Sequence, residues 1–189
     1  MPCIVRGVAV VGVTGTIISV EVSLAAGLPS VGVVGLPDAA VSEARQRVRC
    51  AIENSGLSWP QGRITIGLSP AHTRKHGTSL DLPIALGVLA ASGQVDLRLS
   101  ERLASFGELG LDGSVRSVPG AVALTCATQR AGVDVTVVPV AQERDCARVR
   151  GVEIVGVDSL RDAVNALAEG EHSGRRRQGI RDEIGRAHV

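Results

Sequence analysis

RITIGLSPAHTRKHGTSLDLPIALGVLAAS, residues Arg63–Ser92, decides the reading of this chain. Arg63 to Leu68 alternates polar and apolar side chains with isoleucine and leucine on one side, the pattern of a half-buried strand. A polar loop follows. From Ser79 to Ala91 the chain is apolar nearly all round, which predicts a helix inside the core rather than on its surface. A strand, a polar loop and a buried helix in succession bring a hydroxyl, Ser79, to the helix start. There Thr78 or Ser79 caps free amides, or Ser79 serves as an exposed nucleophile. The loop also carries Lys75, the only lysine in 189 residues.

Working outward, Ile4 to Gly12 and Thr16 to Leu24 read as two valine-rich strands joined by a Thr-Gly turn into an antiparallel hairpin. Val31 to Val34 is a third strand, ending in Gly35-Leu36-Pro37-Asp38. Gly35-Leu36-Pro37 has the composition of a turn with unusual backbone angles. Asp38 or Ser42 is placed to cap a helix over residues 39–55, with Val41, Ala44, Val48, Ala51 and Ile52 on its apolar face. Gly56 ends it. Arg45, Arg47 and Arg49 fall toward its other side, as a solvated face or a contact between subunits.

Downstream, Phe106 to Leu111 and Ser114 to Val118 form a second hairpin about an Asp-Gly turn. A helix over 120–130, a strand over 133–138, a short helix near 142–149, a strand over 153–157 and a helix over 159–168 complete the pattern. Strands followed by alternating helices and strands predict a mixed α/β sandwich with at least one parallel pair.

Composition narrows the functional classes. The chain has one Phe, one Trp and no Tyr, so its core is aliphatic. No apolar run reaches the length of a membrane span. The N-terminus lacks a basic region and cleavage site, and reads as a strand rather than a secretory signal. The four cysteines (Cys3, Cys50, Cys126, Cys146) show no CxxC pair or histidine at ligand spacing, which argues against zinc and for a reducing, cytoplasmic setting. A net charge of +1 argues against a strongly basic footprint spread over the whole domain, but not against a local one. Arg74, Lys75 and His76, with His72 nearby, are the candidate phosphate contacts, because cations flank a helix N-terminus there. No aromatic residue beside this loop is available to stack on bases.

Glu21 to Pro29 (EVSLAAGLP), Val33 to Asp38 (VVGLPD), Glu43 to Arg49 (EARQRVR), Arg63 to Gly87 and Phe106 to Gly113 (FGELGLDG) resemble, in order and spacing, the N-terminal domain of the YifB/ComM family of magnesium-chelatase-like AAA+ ATPases. The resemblance spans about residues 3–170. It implies an α/β (α+β) sandwich of the ribosomal protein S5 domain 2-like, Lon protease-like fold, here residues 1–170. It also implies that an ATPase module using ATP and Mg2+, able to form rings of identical subunits and to process DNA in natural transformation, belongs to the same protein.

This sequence has no GxxxxGK[ST] loop, so neither ATP nor Mg2+ is expected on these residues themselves. By resemblance Ser79 falls near the nucleophile position of Lon-like proteases. The matching lysine position corresponds to about Val122, which cannot accept a proton, and Arg130 stays charged. The expectation is therefore a non-catalytic accessory domain, free of any membrane. The alternatives are a serine peptidase that recruits Ser79 and Lys75, and a stand-alone nucleic-acid-binding module. Glu108, without a paired acid or base, is weak evidence for chemistry and reads as a hairpin residue.

Residues 171–189 hold five arginines, including Arg175-Arg176-Arg177, against three acids and read as a basic linker or tail. The final Ile184 to Val189 back-translates to ATC GGA AGA GCA CAC GTC, which resembles a sequencing adaptor. The expectation is that these six codons do not belong to the gene and that the chain is a fragment.

Overall fold

The computed structural model describes residues 2–96 and 102–168. A seven-stranded mixed sheet organises it, in the order β3-β4-β2-β1-β5-β8-β9. The strands are β1 (Cys3–Val11), β2 (Thr14–Ala25), β3 (Ser30–Val34), β4 (Arg63–Ser69), β5 (Leu103–Ser105), β8 (Val135–Pro139) and β9 (Glu153–Val157). Two short strands, β6 (Glu108–Leu109) and β7 (Val115–Arg116), pair apart from it. The helices are α1 (Ala39–Asn54), α2 (Asp81–Ala91), α3 (Ala121–Arg130), α4 (Val140–Cys146) and α5 over 160–168.

Strands β1, β2 and β4 run antiparallel in turn, whereas β3·β4, β1·β5, β5·β8 and β8·β9 are parallel. Each strand buries alternate residues on opposite faces, as a period of two dictates. Ala9, Ile18, Val20, Val22, Ile64, Ile66 and Val137 pack with α1, α2 and α5, including Val48, Leu86 and Leu160. Val8, Ala104 and Val138 pack on the other face with Leu124 and Ala127 of α3 and Cys146 of α4. The fold is an α/β sandwich with helices on both faces of the sheet. Among the described residues no helix is long and apolar enough to cross a membrane.

The first hairpin turns two residues earlier than its sequence suggests. Val11 pairs with Thr14, so the two-residue loop is Gly12-Val13, and Thr14-Gly15 already belong to β2. Gly12 at φ 62° supplies the positive angle a two-residue turn demands, which a β-branched threonine resists. Helix α1 begins as expected, with Asp38 Oδ1 accepting from the Val41 amide at 2.8 Å. It ends at Asn54, with Ser55 at the cap and Gly56 just beyond at φ 68°. The last described residues fall short of Arg175-Arg176-Arg177 and the 184–189 segment, which lie outside the described residues.

Candidate functional site

The loop between β4 and α2 closes the end of the sheet, and its geometry separates the two residues on which a peptidase reading depends. Ser69–Pro70 is cis, and the chain then crosses to the β3–α1 turn. There the Lys75 amide donates to the Leu36 carbonyl (3.3 Å), and the Asp38 amide donates to the Lys75 carbonyl (3.2 Å). These bonds draw the Lys75 side chain inward. It is fully buried, among the largest such side chains in the described residues. Its Nζ donates to the Gly35 carbonyl at 2.7 Å and to the Pro70 carbonyl. Burial pushes the Lys75 ammonium below the ordinary lysine value.

The turn that receives it is built for that contact. Gly35 lies at φ 102°, and a Cβ there would stand 2.1 Å from the Leu68 carbonyl oxygen. Only glycine fits. Leu36 follows at φ 53°, a left-handed angle in a non-glycine residue. Asp38 joins the two loops from the other side: its Oδ1 caps α1, while Oδ2 accepts from the Gly77 amide (3.2 Å) and lies 3.3 Å from His76 Nδ1.

Ser79 is separately held. Its carbonyl accepts from the Gly107 amide at 3.0 Å, and the Leu82 amide donates back to the Gly107 carbonyl at 3.1 Å. Ser79 is only 6% exposed as a residue, and its buried Oγ has no hydrogen-bond partner. Thr78 to Leu80 form a turn before the helix, with the Asp81 amide on the Thr78 carbonyl. Helix α2 therefore starts at Asp81, and neither Thr78 nor Ser79 caps it through a side chain, a correction to the capping expectation. Ser105 stands opposite Gly7 in the sheet register, and its Oγ is likewise buried and unpartnered.

Asp81 does more than favour the α2 dipole. The Arg47 guanidinium, from α1, donates to Asp81 Oδ2 through Nε (2.7 Å) and to Oδ1 through Nη2 (3.0 Å). The Leu109 amide of β6 donates to Oδ2 at 3.2 Å. Arg47 Nη2 also donates to the Ala40 carbonyl. Burial pushes the Asp81 carboxyl up, while the guanidinium and the Leu109 amide pull it back. The same hydrogen bond holds Arg47 more firmly charged. Arg47 thus leaves the solvated face assigned to it with Arg45 and Arg49. One signal in the sequence marked it: it follows Ala44 by three positions and precedes Val48, so it borders the buried stripe. Glu108, half-buried on β6, contributes negative charge to this pair.

The remaining candidates separate. Arg74, His72 and His76 are exposed while Lys75 is not, so the loop presents one cation fewer than its sequence suggests, and His76 lies against Asp38. Val122 is 45% exposed and lines a cavity of about 570 Å³ with Gly120, Gln142 and Asp145. It belongs to a helix on the opposite face of the sheet from α2. The four cysteines are free, and no cluster of metal-ligating side chains occurs among the described residues.

A sequence model of the family described as subunit ChlI of Mg-chelatase matches residues 20–142. The chain belongs to that family, as a ChlI-type domain of the YifB/ComM group. It is 41% identical to the uncharacterized protein YifB of Escherichia coli over 170 residues, 90% of this chain and 33% of the relative. An uncharacterized protein of Mycobacterium tuberculosis is 42% identical over 153 residues, 81% of this chain and 30% of that protein. The competence protein ComM of Haemophilus influenzae is 41% identical over 127 residues, 67% of this chain and 25% of its own length. The chain thus spans a third or less of these relatives.

Proposed function

We propose that this domain is a non-catalytic accessory layer of a magnesium-chelatase-like AAA+ ATPase, with a Lon protease-like fold that has no peptidase chemistry. The observation that carries the reading is the capture of Lys75 by the Gly35 and Pro70 carbonyls, while Ser79 Oγ has no partner. A nucleophilic serine needs a base within hydrogen-bond reach. Here the sole lysine is committed elsewhere, and the position that resembles the Lon lysine is Val122. In a protein of its relatives' length, ATP and Mg2+ belong to the module beyond this domain. Ring assembly and DNA processing in the cytoplasm are the roles such a module supports, and the name of the Haemophilus relative points toward competence.

The test pairs two assays. Labelled casein incubated with this chain should remain intact, and a chimera carrying residues 2–168 in place of the corresponding region of E. coli YifB should assemble and hydrolyse ATP. Casein cleavage that disappears in Ser79→Ala and Lys75→Ala would establish the peptidase reading instead. A chimera that assembles poorly would remove the accessory role.

A further inference from the structure

Strand β3 forms one end of the seven-stranded sheet. Its inner side pairs with β4, and the Ser30 amide reaches the Gly62 carbonyl at 3.2 Å. Because successive backbone groups alternate direction along a strand, the N–H and C=O groups of Val31 and Val33 point away from β4. Among the described residues no strand covers them. Proteins commonly protect such an edge with a charge, a proline or a bulge inside the strand. Ser-Val-Gly-Val-Val carries none of these.

A groove of about 310 Å³ lies at the start of β3, between that end of the edge strand and helix α1. It is lined by Pro29, Ser30 and Val31 at the start of β3, by Arg45, Gln46 and Arg49 of α1, and by Trp59 and Gly62 from the connection that leads into β4. The Arg49 guanidinium lies 6.0 Å from the centre of the Trp59 ring and pairs with Glu53 at 3.1 Å. Arg45 and Arg49 are four positions apart, so both face the groove from one side of α1.

From this juxtaposition we propose that the groove binds an extended acidic polypeptide segment, which adds to the sheet as a strand beside β3. Backbone pairing with Val31 and Val33 supplies register. Alternate side chains of the added strand then point toward α1, where carboxylates meet Arg45 and Arg49 and an apolar side chain meets Trp59. Nucleic acid fits less well: a free backbone edge offers it nothing, and the guanidinium of Arg49 already lies over the indole. The inference stands apart from the accessory reading above, since it rests on the β3 edge rather than on Ser79 or Lys75.

Trp59 is the only tryptophan of the chain, so its fluorescence reports the groove directly. The chain should be titrated with a short acetylated peptide in which every second residue, the set that faces α1, is glutamate apart from one leucine, with threonine at the positions between. The expected result is a saturable change in Trp59 emission, weakened at least about tenfold in Arg45→Glu/Arg49→Glu. The same peptide with alternate amides N-methylated, which cannot pair along an edge, should lose binding without any change to the protein. Circular dichroism of the double variant should match the parent, and if it does not, the N-methylated peptide alone decides. An absent or unsaturable response overturns the proposal, as does equal binding of the N-methylated peptide. Tighter, arginine-dependent binding of oligothymidylate would assign the groove to single-stranded nucleic acid and overturn it too.

Discussion

Arg47 on α1 and Asp81 on α2 meet through two parallel hydrogen bonds of 2.7 and 3.0 Å, and the carboxylate's side chain is 1% exposed. This pair joins two of the three helices that cover one face of the sheet, and through the Leu109 amide it ties them to the β6–β7 hairpin. Its value depends on both partners remaining. A buried carboxylate stripped of its cation is far costlier than no charge at all.

Arg47→Ala should therefore destabilise the domain by about 3 kcal/mol, and Arg47→Lys should recover only part of that loss, because an ammonium cannot grip both oxygens. Arg47→Met with Asp81→Leu should lie close to the parent. Urea denaturation of the four proteins measures all three differences. A double variant as unstable as Arg47→Ala would mean that the pair holds the helices by geometry and not by cancelling a buried charge.

Lys75 gives a pH signature. Its native pKa lies below the ordinary lysine value because burial disfavours the ammonium. The native state therefore binds fewer protons than the unfolded chain within that window. Stability should rise with pH from the lowered native pKa up to about 10.4, the unfolded value, and the charging cost is fully present below the window. Lys75→Met should flatten this rise. At neutral pH it should still cost about 1–3 kcal/mol, since the Gly35 and Pro70 carbonyls lose their donor. Urea midpoints of both proteins across alkaline pH provide the comparison.

Ser79→Ala should leave the fold intact and raise stability by about 1 kcal/mol, because it removes a buried hydroxyl that has no partner. A lowered urea midpoint would show that the hydroxyl is engaged in solution.

Gly35→Ala tests the turn that receives Lys75. The new methyl would strike the Leu68 carbonyl in a backbone already at φ 102°. A loss of about 3 kcal/mol or more is expected, well above the ordinary cost of a surface substitution. Thermal unfolding resolves a change of that size.

Much of this architecture was legible in the chain itself. The Asp38 cap, the apolar stripe of α1, the turn at Gly35 and the buried character of α2 all follow from local pattern, and the structure keeps them. The first hairpin slipped by two residues, because Gly12-Val13 and Thr14-Gly15 are both plausible loops and only pairing distinguishes them. The loop at residues 72–79 was harder. A lysine between an arginine and a histidine reads as surface. Its burial depends on two carbonyls, one of them forty positions earlier in the chain, which no local window contains. The Arg47–Asp81 pair is equally non-local, 34 positions apart. Family membership, by contrast, rests on motif order along the chain and was visible before any coordinates.

The burial of Lys75 has a chemical consequence beyond stability. With its single lysine enclosed, the folded chain offers no ε-amine to acylating reagents, amine-directed cross-linkers or conjugating enzymes. Derivatisation of that amine must wait until the 70–77 loop lifts away from the β3–α1 turn. The labelling rate of one atom, Nζ, thereby becomes a clock for local opening at this end of the sheet.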